Sequence, residues 1–351
     1  MSLRLSSSLL ALTFAAGAAQ AEVPQVVTDI AAVQSLAAQV MGDLGEPVAL
    51  MRQGASPHDY ALRPSDAKAL QEADLVLWTG PDLAPWLDEM IDTVAKGVPS
   101  VALAEVEGTV ELPFREGANF EAHSHDHADE DMHGDEAHDH DDEHAHDEHS
   151  HEDHEDQDGH DDHDHHSDHD AHGDEHDHHG MDPHSWLDPE NGRVWLGVIA
   201  EELAGIDPEH AETYRANAEA AQADLDAVIA EVRSELAPVQ DMRFIVFHDA
   251  YQYFENRFGL SAAGAISLSD ASDPSPARIR EIQEVIVEQN VSCVFSEPQF
   301  SPALVKTVLN GTNAHSGVID PLGVEIAPGA EFYAALIREV ATAFVDCAGN
   351  K

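Results

Sequence analysis

Between residues 121 and 179 the chain carries 26 Asp or Glu and 20 of its 25 histidines, with almost no apolar side chain. Such a stretch has nothing to bury and cannot build a core. It therefore divides the protein: whatever folds must come from the residues before it and after it. No Lys or Arg occurs from Glu116 to Gly192, and the formal charge of the 351-residue chain is −53. With this block and the first 21 residues set aside, 43 acids still face 15 bases, a charge of −28. An acidic body argues against nucleic acid as a partner and against docking on anionic lipid, since both attract Lys and Arg. It suits a collector of cations.

The first residues read as an export signal. Arg4 supplies a positive start, Leu9 to Ala19 is a short apolar run, and Ala19-Gln20-Ala21 is a small-residue cleavage site, so the mature chain is expected to begin at Glu22. The run is too short for a membrane span, which needs about 20 apolar residues. The only cysteines are Cys293 and Cys347. In an exported protein such a pair reads as a disulfide.

Either side of the block, short apolar runs alternate with amphipathic ones. Strands are expected at Val26-Val27, 48–51, 75–78 and 101–103, and again at 244–247, 261–266, 291–295 and 317–319. Helices fall between them, with Ser65, Asp188 and Ser275 as expected caps. Strands alternating with helices mean parallel sheets covered on both faces. From Pro208 to Leu236 there is neither Gly nor internal Pro. One helix of about 44 Å would fit there at 1.5 Å per residue. The expected fold is α/β: two lobes with mostly parallel sheets joined by a long rigid backbone helix. The expected divisions are a signal peptide at 1–21, an N-terminal lobe at 22–115, a His/Asp-rich disordered insertion at 116–180, the rest of that lobe at 181–206, the linking helix at 207–237, and a C-terminal lobe at 238–351.

Five histidines lie outside the block: His58, His184, His210, His248 and His315. His58 follows a first-lobe strand, within GASPHDY. His248 directly follows the strand FIVF, and Asp320 directly follows GVI. In open parallel sheets ligands bind just beyond the carboxyl ends of strands. His184 sits in DPHSWLDP, among Pro, Trp and Leu that look ordered. His210 reads as solvated, and His315 as a loop residue of the second lobe. Each of these positions alone reads more readily as a hydrogen-bonded loop residue than as a metal ligand. Glu297, in Ser296-Glu297-Pro298, would be the best general base if the chain were a zinc hydrolase, but it reads more simply as a turn residue, and no H-E-x-x-H motif is present.

Four segments tie the chain to a family. Gly54–Ser65 (GASPHDYALRPS), Phe247–Phe254 (FHDAYQYF), Cys293–Phe300 (CVFSEPQF) and Ile319–Gly323 (IDPLG) closely resemble periplasmic zinc-binding proteins of the ZnuA type, a metal-binding group of ABC-transporter solute receptors. The resemblance covers nearly the whole mature chain in order, including a His/Asp-rich insertion, which is longer here. It implies a periplasmic, monomeric, non-enzymatic receptor that captures Zn²⁺ and hands it to an inner-membrane ABC permease. It implies His58, His184 and His248 as ligands. Asp320 matches an acidic position used as a fourth ligand in parts of the family, where water or another carboxylate can stand instead. The manganese branch uses a carboxylate where this chain has His248. The cysteines match that family's disulfide. Three neutral imidazoles with one oxygen make a good tetrahedral zinc set. The histidines of the block would add many weak, exchangeable sites along a flexible polyanion.

Overall fold

The computed structural model describes residues 23–115, 180–267 and 274–349. The expected signal peptide and the His/Asp-rich insertion lie outside the described residues.

The first sheet is built from β1 (Val26–Thr28), β2 (Val48–Ala49), β3 (Leu75–Trp78) and β4 (Ser100–Ala102). The second is built from β5 (Phe244–His248), β6 (Ala262–Ser267), β7 (Cys293–Ser296) and β8 (His315–Val318). All pairings are parallel. The spatial orders are β2-β1-β3-β4 and β6-β5-β7-β8, so the two sheets share one topology. In each, the order reverses beside the first strand of the set, leaving a crevice at the carboxyl ends of β1 and β3 and of β5 and β7.

The helices are α1 (Ala31–Met41), α2 (Pro64–Gln71), α3 (Pro85–Thr93), α4 (Pro189–Ile206), α5 (Ala211–Leu236), α6 (Gln252–Phe258), α7 (Pro276–Glu288), α8 (Pro302–Leu309) and α9 (Phe332–Gly349). Both faces of each sheet are covered. A continuous apolar cluster runs from Leu36 and Leu75 through Trp195 and Leu225 to Phe244 and Phe344, and so joins the lobes. Smaller clusters close the outer face of each sheet, around Val76 and Leu87 in the first and around Ile245 and Ile282 in the second. Buried parallel strands of this kind read as continuous apolar runs, as Leu75–Trp78 does. The long helix α5 packs on α1 and α4 and also on α9. Its buried face is Tyr214, Ala218, Ala221, Leu225, Val228, Ile229, Val232 and Leu236, all spaced for one helical stripe.

Three local expectations shift. The long helix begins at Ala211, not Pro208, because the Asp207 carboxylate is taken by the His210 ring (2.6 Å) and the Tyr214 hydroxyl (2.9 Å), which holds a turn ahead of the helix. Arg63, not Ser65, caps α2: Asp66 reaches back to the Arg63 main-chain N–H (2.9 Å), Pro64 takes the first helical position, and Ser65 donates to Asp66 instead. His315 is not in a loop. It opens β8 at the amino end, the edge opposite the ligand crevice. The caps at Asp188 and Ser275 form as the sequence indicates, with side chains accepting from Glu190 N and Arg278 N. The Cys293–Cys347 disulfide is present, joining β7 to α9. Among the described residues no helix is long and apolar enough to cross a membrane.

Candidate metal centre

Between the lobes lies a cavity of about 190 Å³, lined by His58, His184 and His248 with Trp186, Glu297, Phe300 and Pro321 among its walls. Each histidine arrives differently. His248 is the last residue of β5, beside the crevice where the second sheet reverses. His58 comes from the exposed loop after β2, whose shape depends on Gly54 at φ +78°. In that loop His58 N donates to Ser56 Oγ (3.2 Å), and the Trp86 indole donates to Pro57 O (2.9 Å). His184 lies at the foot of a short 3₁₀ turn, Ser185–Leu187, that leads into α4. That turn is fastened from below. The Tyr333 hydroxyl of α9 donates to Trp186 O (2.8 Å), and it can do so only because residue 192 is glycine: a Cβ there would meet the Tyr333 ring and hydroxyl at 2.5–2.7 Å. The Trp186 indole donates to Pro321 O (3.0 Å), tying the turn to the second lobe.

The His184 ring has the other two beside it. The centres of His58 and His184 are 5.3 Å apart, and those of His184 and His248 are also 5.3 Å apart, with planes inclined by 64° and 63°. His184 and His248 are both nearly buried. Each has a buried carboxylate on its Nδ1: Asp182 Oδ1 at 2.7 Å from His184, and Glu297 Oε1 at 2.7 Å from His248. A carboxylate on Nδ1 favours the tautomer with the proton there and turns Nε2 away from it as a lone-pair donor. Burial pushes the Asp182 carboxyl up to about 7, against the pull of the His184 main-chain N–H and the Arg115 charge. Burial, then the nearby charge of Glu297, also pushes the Tyr251 phenol well above its ordinary range.

Asp320 is held within its own turn. Its Oδ1 accepts from Leu322 N (2.9 Å) and Gln299 Nε2 (3.2 Å), and its Oδ2 from Val324 N (2.6 Å), so it shapes the loop that carries Pro321. His210 lies on the Asp207 turn of α5. Thus His58, His184 and His248 come together, while His210 and His315 do not join them. Two groups of this site have roles that the sequence alone does not assign. Asp182 was legible as a neighbour two residues before His184. Glu297 was noticed, but its partner is 49 residues away and no local spacing reveals it.

Over residues 26–347 the chain matches the family model described as zinc-uptake complex component A, periplasmic (ZnuA). The chain belongs to the ZnuA family. It is 46% identical over 346 residues to the high-affinity zinc uptake system protein ZnuA of Brucella abortus, covering 99% of this chain and 98% of that one. It is 45% identical over 350 residues to the ZnuA of Paracoccus denitrificans, covering 99% of each. A crystal structure of a ZnuA superposes with a TM-score of 0.67 over 93% of this chain and 98% of the other, at 21% identity. That likeness carries the fold: two α/β lobes and the long helix. ZnuA relatives are named as components of an uptake system, and the hydrolase alternative falls away. Glu297 accordingly has a simpler job than a general base, as the support of His248.

Proposed function

We propose that this ZnuA-family chain captures Zn²⁺ in the interlobe cleft through His58, His184 and His248, for delivery to an ABC-type import permease. The observation that carries this reading is the spacing of the imidazoles. A zinc ion bound at ~2.0–2.1 Å lies about 3.2 Å from each ring centre, so two tetrahedrally placed imidazoles have centres roughly 5.2 Å apart. The two measured separations are 5.3 Å. As they stand, no three His, Cys, Asp or Glu side chains among the described residues are gathered tightly enough to clasp an ion. The reading therefore rests on ring spacing and on the carboxylates that aim two of the rings. The main-chain and Gln299 bonds on Asp320 favour water as the fourth ligand. An all-imidazole set favours zinc over the harder manganese, which prefers oxygen.

The rest of the reading follows from the sequence. The chain is exported as a precursor and cut after Ala21. The lobes are 22–115 with 181–206, and 238–351, linked by 207–237. Residues 116–180 form an insertion whose histidines bind further zinc weakly, and the mature protein works as a monomer in the periplasm. A zinc titration against a chelator tests the reading, run on the mature chain and on a form lacking 121–179. The shortened form should keep one tight site and lose weaker binding of stoichiometry above one. Replacing His58, His184 or His248 by Ala in it should weaken the tight site by well over the ~10–100-fold that removal of a supporting residue costs. Three single variants that all bind like the parent would overturn the assignment. A shortened protein without a tight site would move an essential ligand into 121–179.

A further inference from the structure

The last described residue before the insertion, Arg115, does not point into solvent as an arginine at the root of a polar segment usually would. Its guanidinium is buried between two carboxylates of the second lobe. Nε donates to both oxygens of Asp249 (3.0 Å each), and Nη2 closes the fork on the same group. Nη1 and Nη2 donate to Glu255 at 2.8 and 3.0 Å. Asp249 and Glu255 are 7% and 3% exposed. Asp249 is the residue after His248. Glu255 accepts in turn from Ala262 N (2.9 Å) at the start of β6, the strand whose Ser267 pairs with His248.

The same stretch of chain reaches the other buried histidine. Pro113 forms an antiparallel bridge with Met181, and Asp182 N donates to Leu112 O (2.8 Å). The Tyr253 hydroxyl of α6 clasps both strands of this stem, accepting from Leu112 N (3.0 Å) and donating to Asp182 O (2.9 Å). Asp182 is the carboxylate on His184 Nδ1. The stem formed by 112–115 and 180–182 thus carries the partner of His184 at one end and, through Arg115, holds the neighbour of His248 at the other.

We propose that Arg115 is a positioning residue for zinc capture, a guanidinium that never meets the ion but fixes the His248 turn and the His184 support in one frame. This rests on the cleft reading above, and it places the stem with the binding site rather than with the insertion. Bidentate Arg–carboxylate geometry is directional in a way that a lysine charge is not. Loss of the fork should let both imidazoles wander from their converged position, and affinity falls because the site must then be ordered at the moment of binding.

The test compares the mature parent with Arg115→Lys, Arg115→Met and Arg115→Met/Asp249→Asn, reading zinc affinity by chelator competition, zinc dissociation by stopped flow, and apo stability by thermal melting. Arg115→Met should weaken zinc ~10–100-fold, within the range for groups that orient a ligand, through faster dissociation. Arg115→Lys should melt close to the parent yet bind zinc several-fold more weakly. The double variant, relieved of one unpaired buried carboxylate, should regain stability over Arg115→Met without regaining affinity, an outcome that a merely structural ion pair would not give. If Arg115→Met does not fold, Arg115→Lys decides. Arg115→Lys, or a folded Arg115→Met, binding zinc within twofold of the parent overturns the proposal. His184→Ala, measured alongside, keeps the two readings apart: its failure to weaken zinc would sink the cleft assignment itself, whereas a weak His184→Ala with an unaffected Arg115→Lys sinks only the role of Arg115.

Discussion

The two lobes share one strand order, yet the crevices where that order reverses are filled differently. In the first lobe, Asp29 follows β1 and Thr79 follows β3. Asp29 accepts from Ile30 N and Thr79 N at 2.7 Å each, and both side chains are fully buried. That switch point is closed on itself. In the second lobe His248 ends β5 and Glu297 follows β7; they are joined at 2.7 Å, and His248 opens on the cleft. The same architecture thus spends one crevice on holding its sheet together and the other on presenting an imidazole. The first lobe instead contributes His58 from a rim loop and His184 from the turn ahead of α4. A shared fold offers equivalent positions, and the side chains placed there decide which of them becomes a site.

The largest effect expected from this asymmetry is on stability. The second crevice stands on β5 and β7, and β7 is bonded to α9 by the disulfide, with cysteines 54 residues apart. The chain-entropy model gives about 4 kcal/mol for a loop of that size. A Cys293→Ala/Cys347→Ala chain should lose roughly that much in denaturant unfolding while the folded protein still binds zinc. A change well under 1 kcal/mol would mean that the second lobe does not depend on its staple.

Next come matched substitutions at the two crevices. Asp29→Asn leaves one main-chain N–H facing an amide NH₂ in a buried place, and should cost about 1–3 kcal/mol of stability near pH 4, where that side chain contributes fully, with little change in zinc affinity. Glu297→Ala should do the reverse, weakening zinc ~10–100-fold, with Glu297→Gln recovering part of the loss because its amide oxygen can still accept from His248. Burial raises the Asp29 carboxyl to about 6 from 3.8. Its contribution to stability is therefore full below about pH 4 and is lost as pH rises through about 6, a slope that should flatten in Asp29→Asn. Equal loss of zinc affinity in both variants would erase the distinction between a structural and a binding crevice.

The smallest effect concerns the rim. Trp86→Phe keeps the ring beside Tyr60 but removes the hydrogen bond to Pro57 O. It should weaken zinc by about 0.5–1.5 kcal/mol, or two- to tenfold. A loss as large as that of Glu297→Ala would place the rim loop on the same footing as the buried wall.

The alternation of strands and helices was plain in the sequence because apolar runs such as Leu75–Trp78 and caps such as Asp188-Pro189 are local signals. The fold class followed from them. Strand ends and an ordered DPHSW segment made the three histidines candidates, but the residues alone left each one ambiguous, and only the family resemblance gathered them into one set. What stayed hidden was long-range. Glu297 meets His248 across 49 residues and Arg115 meets Asp249 across 134, and neither pairing leaves a trace in spacing. Asp320 is the opposite case: its engagement is local, with the main-chain N–H groups of its own turn.

On the proposed assignment, the pairing of carboxylates with imidazole N–H groups bears on how cargo leaves. A site lined by bare carboxylates or thiolates is left with mutually repelling charges when its cation departs. It must take up protons or another ion, and so it resists emptying. Here the lone pairs offered to zinc belong to imidazole rings, and the carboxyl groups sit one layer back, already engaged with Nδ1 of His184 and of His248. Loss of the ion then leaves no bare carboxylates facing one another. A carrier that must surrender its ion to another protein, and then wait intact for the next, gains reversibility from that arrangement.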